Sequence, residues 1–429
     1  MINYNLMSKE QLANELTAAE NKYAEFKAKK LSLNMARGKP EDMQLCLSAE
    51  MFNILSPDDL ISIDGTDCRN YGVFDGIPEA KNLMAQILGV QPQNVIVFGN
   101  SSLNVMYDTI SRLFTHGTMG NTPWAKLDKV KFLCPSPGYD RHFLVTEHFG
   151  FELITIPMLE TGPDMDIVEN LVSNDSAVKG IWCIPQYSNP TGYTYSDETV
   201  RRFAALKPAA PDFRIFWDNA YLVHHLYDEP EKQDKLLDIL TECEKAGNPN
   251  MVYEFCSTSK ISLPGSGIAA VTASAENIAE FKKTLTVQTI GHDKINQLRH
   301  ARFFKNLDVV KAHMSKHAAI IRPKFDAVLD IFEKELGETG LGKWTKPNGG
   351  YFISFDALDG CAKEIVQKCK EAGMILTAAG ATFPYKIDPN DKNIRIAPTF
   401  PSLDEIKIAA ELFCTVVKMV SYKKLINKK

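Results

Sequence analysis

Short apolar runs alternate with amphipathic stretches along most of the chain, and their spacing separates strands from helices. Leu12, Leu16, Ala19, Tyr23 and Phe26 recur at four- and three-residue steps, which predicts an amphipathic packing helix. Ser8 with Gln11 three residues later predicts a capping box at its start. Six β-prone runs of strand length follow: 94–98 (NVIVF), 131–134, 151–156, 180–184, 214–217 and 252–256. Helical patterns lie between them, one opened by Pro78 and Glu79. Strands alternating with helices predict an α/β fold with a mostly parallel, doubly wound sheet. Beyond Lys260 the chain is expected to turn helical, with Asp293 to Asp308 opening a long helical stretch. It then returns to short strands: a glycine-broken hairpin at 344–355 (WTKPNGGYFISF), 374–377 and 393–397.

At 429 residues the chain exceeds the size at which one core keeps growing, so two domains are expected. The larger should span 51–310; a smaller α+β domain should combine 1–50 with 311–429, joined through the helical stretch that begins at Asp293. A net charge of −5 with no long basic run gives no support for nucleic acid or an anionic membrane as partner. No apolar stretch approaches the ~18 residues of a membrane span, and the first residues lack a signal-peptide pattern. Nine cysteines are scattered singly, which fits neither a zinc site nor a disulfide framework and makes the cytoplasm the expected location. His224 and His225 lack neighbouring ligands at metal spacing, so no metal is expected.

The candidate chemistry sits where strands end. Lys260 follows the 252–256 run between small hydroxyls (Ser257, Ser259) and a Pro264-Gly265 break. A lysine there, held near-neutral by desolvation, can form a Schiff base with a carbonyl; taken alone it is most simply an ordinary surface charge. Asp218 ends the 214–217 strand with Tyr221 three residues on, and a carboxylate so placed needs a partner, either a protonated ring nitrogen or an arginine. Gly99-Asn100-Ser101-Ser102 joins a strand to a helix and offers an anion its N–H groups and helix dipole; it matches neither dinucleotide nor nucleotide loops. Tyr139, after the 131–134 strand, is placed to stack on a planar ring. Asn189, between Ser188 and Pro190, can present its amide to an oxygen or simply form a turn. Arg395 inside a short strand requires an anion, from a substrate or from the protein. Gly38 permits close backbone approach, and Tyr71 lies in a glycine-punctuated loop.

These residues share one demand: an amine for an aldehyde, an acid for a ring nitrogen, a phosphate cradle and a carboxylate receptor, which is what pyridoxal phosphate needs. The motifs SNPTG (188–192), DNAY (218–221), STSK (257–260) and RIA (395–397), in that order, resemble the class I, fold-type I pyridoxal-phosphate aminotransferases. The likeness runs from about Gly38 to Arg395 and is nearest to a divergent, aspartate aminotransferase-like subgroup. It implies that Lys260 binds the cofactor and moves the proton, and that Asp218 pairs with the ring nitrogen. It also implies that Asn189 and Tyr221 bond the ring oxygen, and that Asn100, Ser101, Ser102, Ser257 and Ser259 hold the phosphate. Tyr139 covers the ring. Tyr71 would reach the phosphate in the neighbouring subunit, implying a homodimer with shared sites, while Gly38, Asn189 and Arg395 would read the substrate carboxylate. One position departs from the pattern: Gly267 stands where the family places a phosphate-binding arginine.

The resulting expectation is amino transfer from aspartate to 2-oxoglutarate by a ping-pong cycle, with alanine or aromatic donors as alternatives. A lyase or synthase of the same fold is a second reading. A cofactor-sensing regulator is a third, but it needs a DNA-binding segment for which the first helix leaves no room. For a second substrate carboxylate, Arg37, Lys39, Arg141, Lys294 and Arg299 are unranked candidates.

Overall fold

The structure, a computed structural model, describes residues 4–428. Eight strands build the large sheet: β1 (Val95–Val97), β2 (Lys131–Ser136), β3 (Glu152–Leu159), β4 (Gly162–Pro163), β5 (Val178–Cys183), β6 (Arg214–Asp218), β7 (Val252–Ser257) and β8 (Ala269–Ala273). Their order is β1-β8-β7-β6-β5-β2-β3-β4. The five strands from β7 to β3 run parallel. β5 and β6 are buried at every position, as expected of strands covered on both faces. β8, where the sequence was expected to turn helical after Lys260, is instead a buried strand of small residues, antiparallel to both β7 and β1. Two reversals return β1 to the direction of the parallel strands, so the turn after β1 emerges at the same sheet edge as those after β2, β5, β6 and β7. That edge is where ligands bind in open α/β sheets.

A second sheet contains β9 (Gly342–Trp344), β10 (Ile353–Ala357) and β11 (Asn393–Ile396), all antiparallel. The expected hairpin at 344–355 is β9–β10, and Arg395 lies in β11. The predicted first helix is Lys9–Ala28; its capping box is formed, and Leu12, Ala19, Tyr23 and Phe26 are buried. It packs on the last helix, Leu403–Lys428, and Leu33–Asn34 pairs with Met374–Ile375, so the N-terminal segment is tied to the C-terminal part.

The linking stretch is two helices rather than one, Lys294–Phe304 and Leu307–Leu336. Lys305 adopts φ +56°, and Asn306 caps the second helix by accepting from the Val309 amide. Val310 and Met314 of the second helix join an apolar cluster beside the large sheet, whereas Ile321, Phe325, Val328 and Phe332 join the cluster of the small sheet. One helix thus spans both cores. No helix among the described residues is long and apolar enough to cross a membrane.

Candidate active site

A cavity of about 540 Å³ opens at the C-terminal edge of the parallel strands. Lys260, Asp218, Tyr221 and Tyr139 line it, as do Asn189, Arg395 and Gly38. Ser101, Ser102, Ser257 and Ser259 line its other end. Most of these residues are brought together because they follow or end strands of the large sheet that point the same way, whereas Gly38 and Arg395 reach the cavity from the N-terminal segment and the second sheet.

Asp218, the last residue of β6, is 3% exposed. Its Oδ2 lies 3.0 Å from His142 Nε2, and its Oδ1 has no partner. A buried carboxylate oxygen without a donor costs free energy, and a protonated ring nitrogen would remove that cost. His142 is itself stacked on Trp182, with ring centroids 4.5 Å apart. Sequence reasoning gave His142 no role. The available signal was its position three residues after Tyr139, one helical turn into Asp140–His148, on the face turned to the sheet.

Lys260 is half-buried, with its Nζ 4.7 Å from the centre of the Tyr221 ring. Burial pulls its ammonium below the ordinary lysine value, and the nearby Asp218 charge partly offsets this. The amine is thereby biased toward its nucleophilic form. Burial also pushes the Tyr221 hydroxyl well above its usual range and Tyr139 up to about 12, so both stay protonated donors. Behind Lys260 the backbone is held by buried side chains. Ser262 Oγ meets His300 Nε2 at 2.9 Å, the Ile261 carbonyl meets His313 Nε2 at 2.9 Å, and the Lys260 carbonyl accepts from Tyr351 at 3.5 Å. His224 is buried between Tyr221 and Tyr351 with neither ring nitrogen bonded, and burial holds it well below its usual pKa.

At the phosphate end, Ser101 begins the helix Ser102–His116 without a side-chain cap bond, leaving the first N–H groups for an anion. Ser257 donates to Ser259, and Ser259 to the Asn100 carbonyl. Asn100 itself does not line the cavity; its amide donates to the Pro264 carbonyl at 3.0 Å. A Cβ on Gly267 would lie 2.9 Å from Thr258 Oγ1 and 3.3 Å from the Leu263 carbonyl, so this loop has no room for a side chain there. Tyr71 is 84% exposed and lies outside the cavity of its own chain.

At the other end, Arg395 is 8% exposed, with its guanidinium 4.9 Å from the Phe352 ring centre. It donates to Asn189 Oδ1, Thr377 Oγ1 and Asp140 Oδ1. The protein carboxylate weighed as its competing partner is therefore present, and it is Asp140. Gly38 owes its lack of a side chain to Phe352, whose ring an added Cβ would strike. The structure also ranks the cations. Arg37, Lys39 and Arg141 line the cavity; Lys39 Nζ sits 3.8 Å over the Phe400 ring. Lys294 is buried against the Gly72 carbonyl and Arg299 is held by Ser266 and Asn296. Neither Arg37 nor Arg141 pairs with an acid among the described residues.

Residues 7–429 match the family described as aspartate amino-transferase. An aspartate aminotransferase of Corynebacterium glutamicum is 46% identical over 94% of this chain and 92% of its own. The chain belongs to the aspartate aminotransferase family. It is an aminotransferase of fold type I. The crystal structure of an aspartate transaminase from C. glutamicum superposes with a TM-score of 0.96 at 43% identity, covering 99% of both chains. An α-aminoadipate aminotransferase from Thermus thermophilus, solved with a phosphopyridoxyl-leucine, shares the fold at a TM-score of 0.73 and 18% identity over 98% of each chain. Within this aminotransferase the donor set fits a phosphorylated pyridine aldehyde: a lowered amine, an acid with a free oxygen, hydroxyl donors and an uncapped helix end.

Proposed function

We propose that this aminotransferase uses pyridoxal phosphate to move the amino group of aspartate to 2-oxoglutarate, and that it works as a homodimer. The observation that carries the reading is the unpartnered Asp218 Oδ1 at the cavity that Lys260 enters. When bound, pyridoxal phosphate supplies an aldehyde for the lysine and a ring that withdraws electrons from the substrate Cα. Asp218 would keep the ring nitrogen protonated, with His142 fixing its carboxylate. Tyr221 and Asn189 would donate to the ring oxygen, and Tyr139 would cover one face. Ser101, Ser102, Ser257, Ser259 and the helix end would hold the phosphate, with Asn100 bracing the loop through Pro264. Lys260, once free, would take the Cα proton of the donor and return one to the acceptor. Arg395, Asn189 and Gly38 would receive the α-carboxylate, and Arg37 or Arg141 the side-chain carboxylate.

The dimer rests on Tyr71, which is exposed outside the cavity of its own chain, together with the exposed apolar side chains of Phe52, Ile61, Ile63, Val287 and Ile290. Tyr71 would then complete the partner's phosphate site. We further propose 51–310 as the cofactor domain and 1–50 with 311–429 as the smaller one, because the helix Leu307–Leu336 changes cores near residue 315. The cytoplasmic location rests on the scattered cysteines. The test is a panel of amino donors with 2-oxoglutarate: aspartate should outrun alanine and phenylalanine by at least about tenfold in kcat/KM, the scale of one good charge-assisted contact. Equal rates would remove the aspartate assignment, and a Lys260→Ala protein that still turned over would remove the mechanism.

A further inference from the structure

Arg395 is held by three side chains of different character. Asn189 and Thr377 are neutral, and Asn189 is 4% exposed, so it stays in place. Asp140 is charged, its side chain is 28% exposed, and it lines the cavity. It bonds Arg395 Nη1 at 3.2 Å, the same nitrogen that serves Asn189, while Arg395 Nε has no partner. Asp140 is also the first residue of the helix Asp140–His148. The helix N-terminus stabilises its charge whether or not it touches the arginine, and water can reach it. Asp140 is thus an anion that can leave its partner at little cost.

We propose that Asp140 is an internal stand-in for the substrate α-carboxylate: it neutralises Arg395 between binding events and is displaced by each incoming amino or oxo acid. The proposal rests on the reading of Arg395 as the α-carboxylate receptor. A buried guanidinium without an anion would be costly; with Asp140 present, that state is confined to the minor fraction in which Asp140 has swung away. The consequence is competition. Every carboxylate ligand binds only to the fraction of molecules in which Asp140 has moved aside, so its apparent affinity falls by that fraction. The tax is equal for donors and acceptors, because all carry the same α-carboxylate, and it speeds release of the product acid. A fixed brace would behave oppositely: removing it would loosen Arg395 and weaken binding.

The test uses the pyridoxal-phosphate-loaded enzyme and two unreactive ligands, propionate with one carboxylate and maleate with two, each measured as a competitive inhibitor. Asp140→Asn should tighten both by a similar factor, about 3- to 30-fold, the size of one exposed-to-half-buried charge competition, and should lower KM for aspartate and 2-oxoglutarate alike without raising kcat. In an Arg395→Lys background the gain should shrink or vanish. Unchanged or weaker binding of propionate in Asp140→Asn overturns the proposal, as does a gain confined to maleate. Asp140→Ser repeats the measurement with a different neutral side chain should the asparagine protein fold poorly. If Arg395→Lys binds propionate as tightly as the wild type, the Arg395 reading fails and the displacement with it. If Arg395→Lys loses propionate but Asp140→Asn gains nothing, only the displacement fails.

Discussion

At the scale of single residues, burial lowers the pKa of the Lys260 ammonium and raises those of the Tyr139 and Tyr221 hydroxyls, while the acid beside them is fixed by bonding. Asp218 is buried with one oxygen bonded to His142 and the other free, so His142 works by holding the acid rather than by touching substrate. His142→Asn should lower kcat/KM by about 5- to 100-fold, the cost of loosening one buried charged hydrogen bond. It should also weaken cofactor retention on dialysis; a variant as active and as tightly loaded as wild type would contradict this role. Glu254 is an acid outside the site whose proton burial holds. It is 3% exposed on β7, its one side-chain donor is Asn219, and burial raises it to about 8. The folded state therefore holds this proton more tightly than the unfolded chain does. The resulting stability is complete below about pH 4.5 and is lost as pH rises through about 8. Glu254→Gln should accordingly be more stable than wild type in urea at pH 9, with the difference closing toward pH 5.

At the scale of elements, strand direction does the assembling. The predicted strand runs were legible because a buried strand of the large sheet is a short apolar run with a turn residue behind it, and much of the chemistry sits in that turn. The residues that escaped notice lie one step further along. His142 and Asp140 are helix residues whose importance depends on what the helix faces, which periodicity does not specify. Thr377 and Phe352 shape Arg395 from the C-terminal part, through pairings that only the folded register reveals. The break at Lys305 was hidden for the same reason: 293–308 reads as continuous helix until Asn306 caps the next one. His300 and His313, from the helices on either side of that break, bond the segment after Lys260, and His317 adjoins His313. Burial lowers His300 to about 4 and His317 to about 3. An imidazole held neutral in the fold takes its proton first in the unfolded chain, so its contribution is complete above about pH 6.5 and is lost as pH falls toward 4. Urea midpoints should drop steeply from pH 6.5 to 4.5, and His300→Gln should flatten that slope. An unchanged slope would remove the histidines from the account.

At the scale of the whole molecule, the single chain leaves its proposed phosphate site without a cation of its own at Gly267 and leaves Tyr71 in solvent. Both features are consistent with a site finished by a second copy. Inactive Lys260→Ala and impaired Tyr71→Ala proteins, mixed under conditions that exchange subunits, should recover up to about a quarter of wild-type activity, since half the dimers are mixed and each has one intact site. No recovery despite proven exchange would show the sites are not shared. The central claim, however, is that one amine and one acid meet around a pyridoxal ring. Its most direct test is borohydride reduction of the pyridoxal-phosphate-loaded protein, followed by digestion and mass spectrometry to locate the covalently attached phosphopyridoxyl group. The account predicts the group on Lys260 alone, at close to one per chain. Attachment spread over surface lysines, or none, would contradict it.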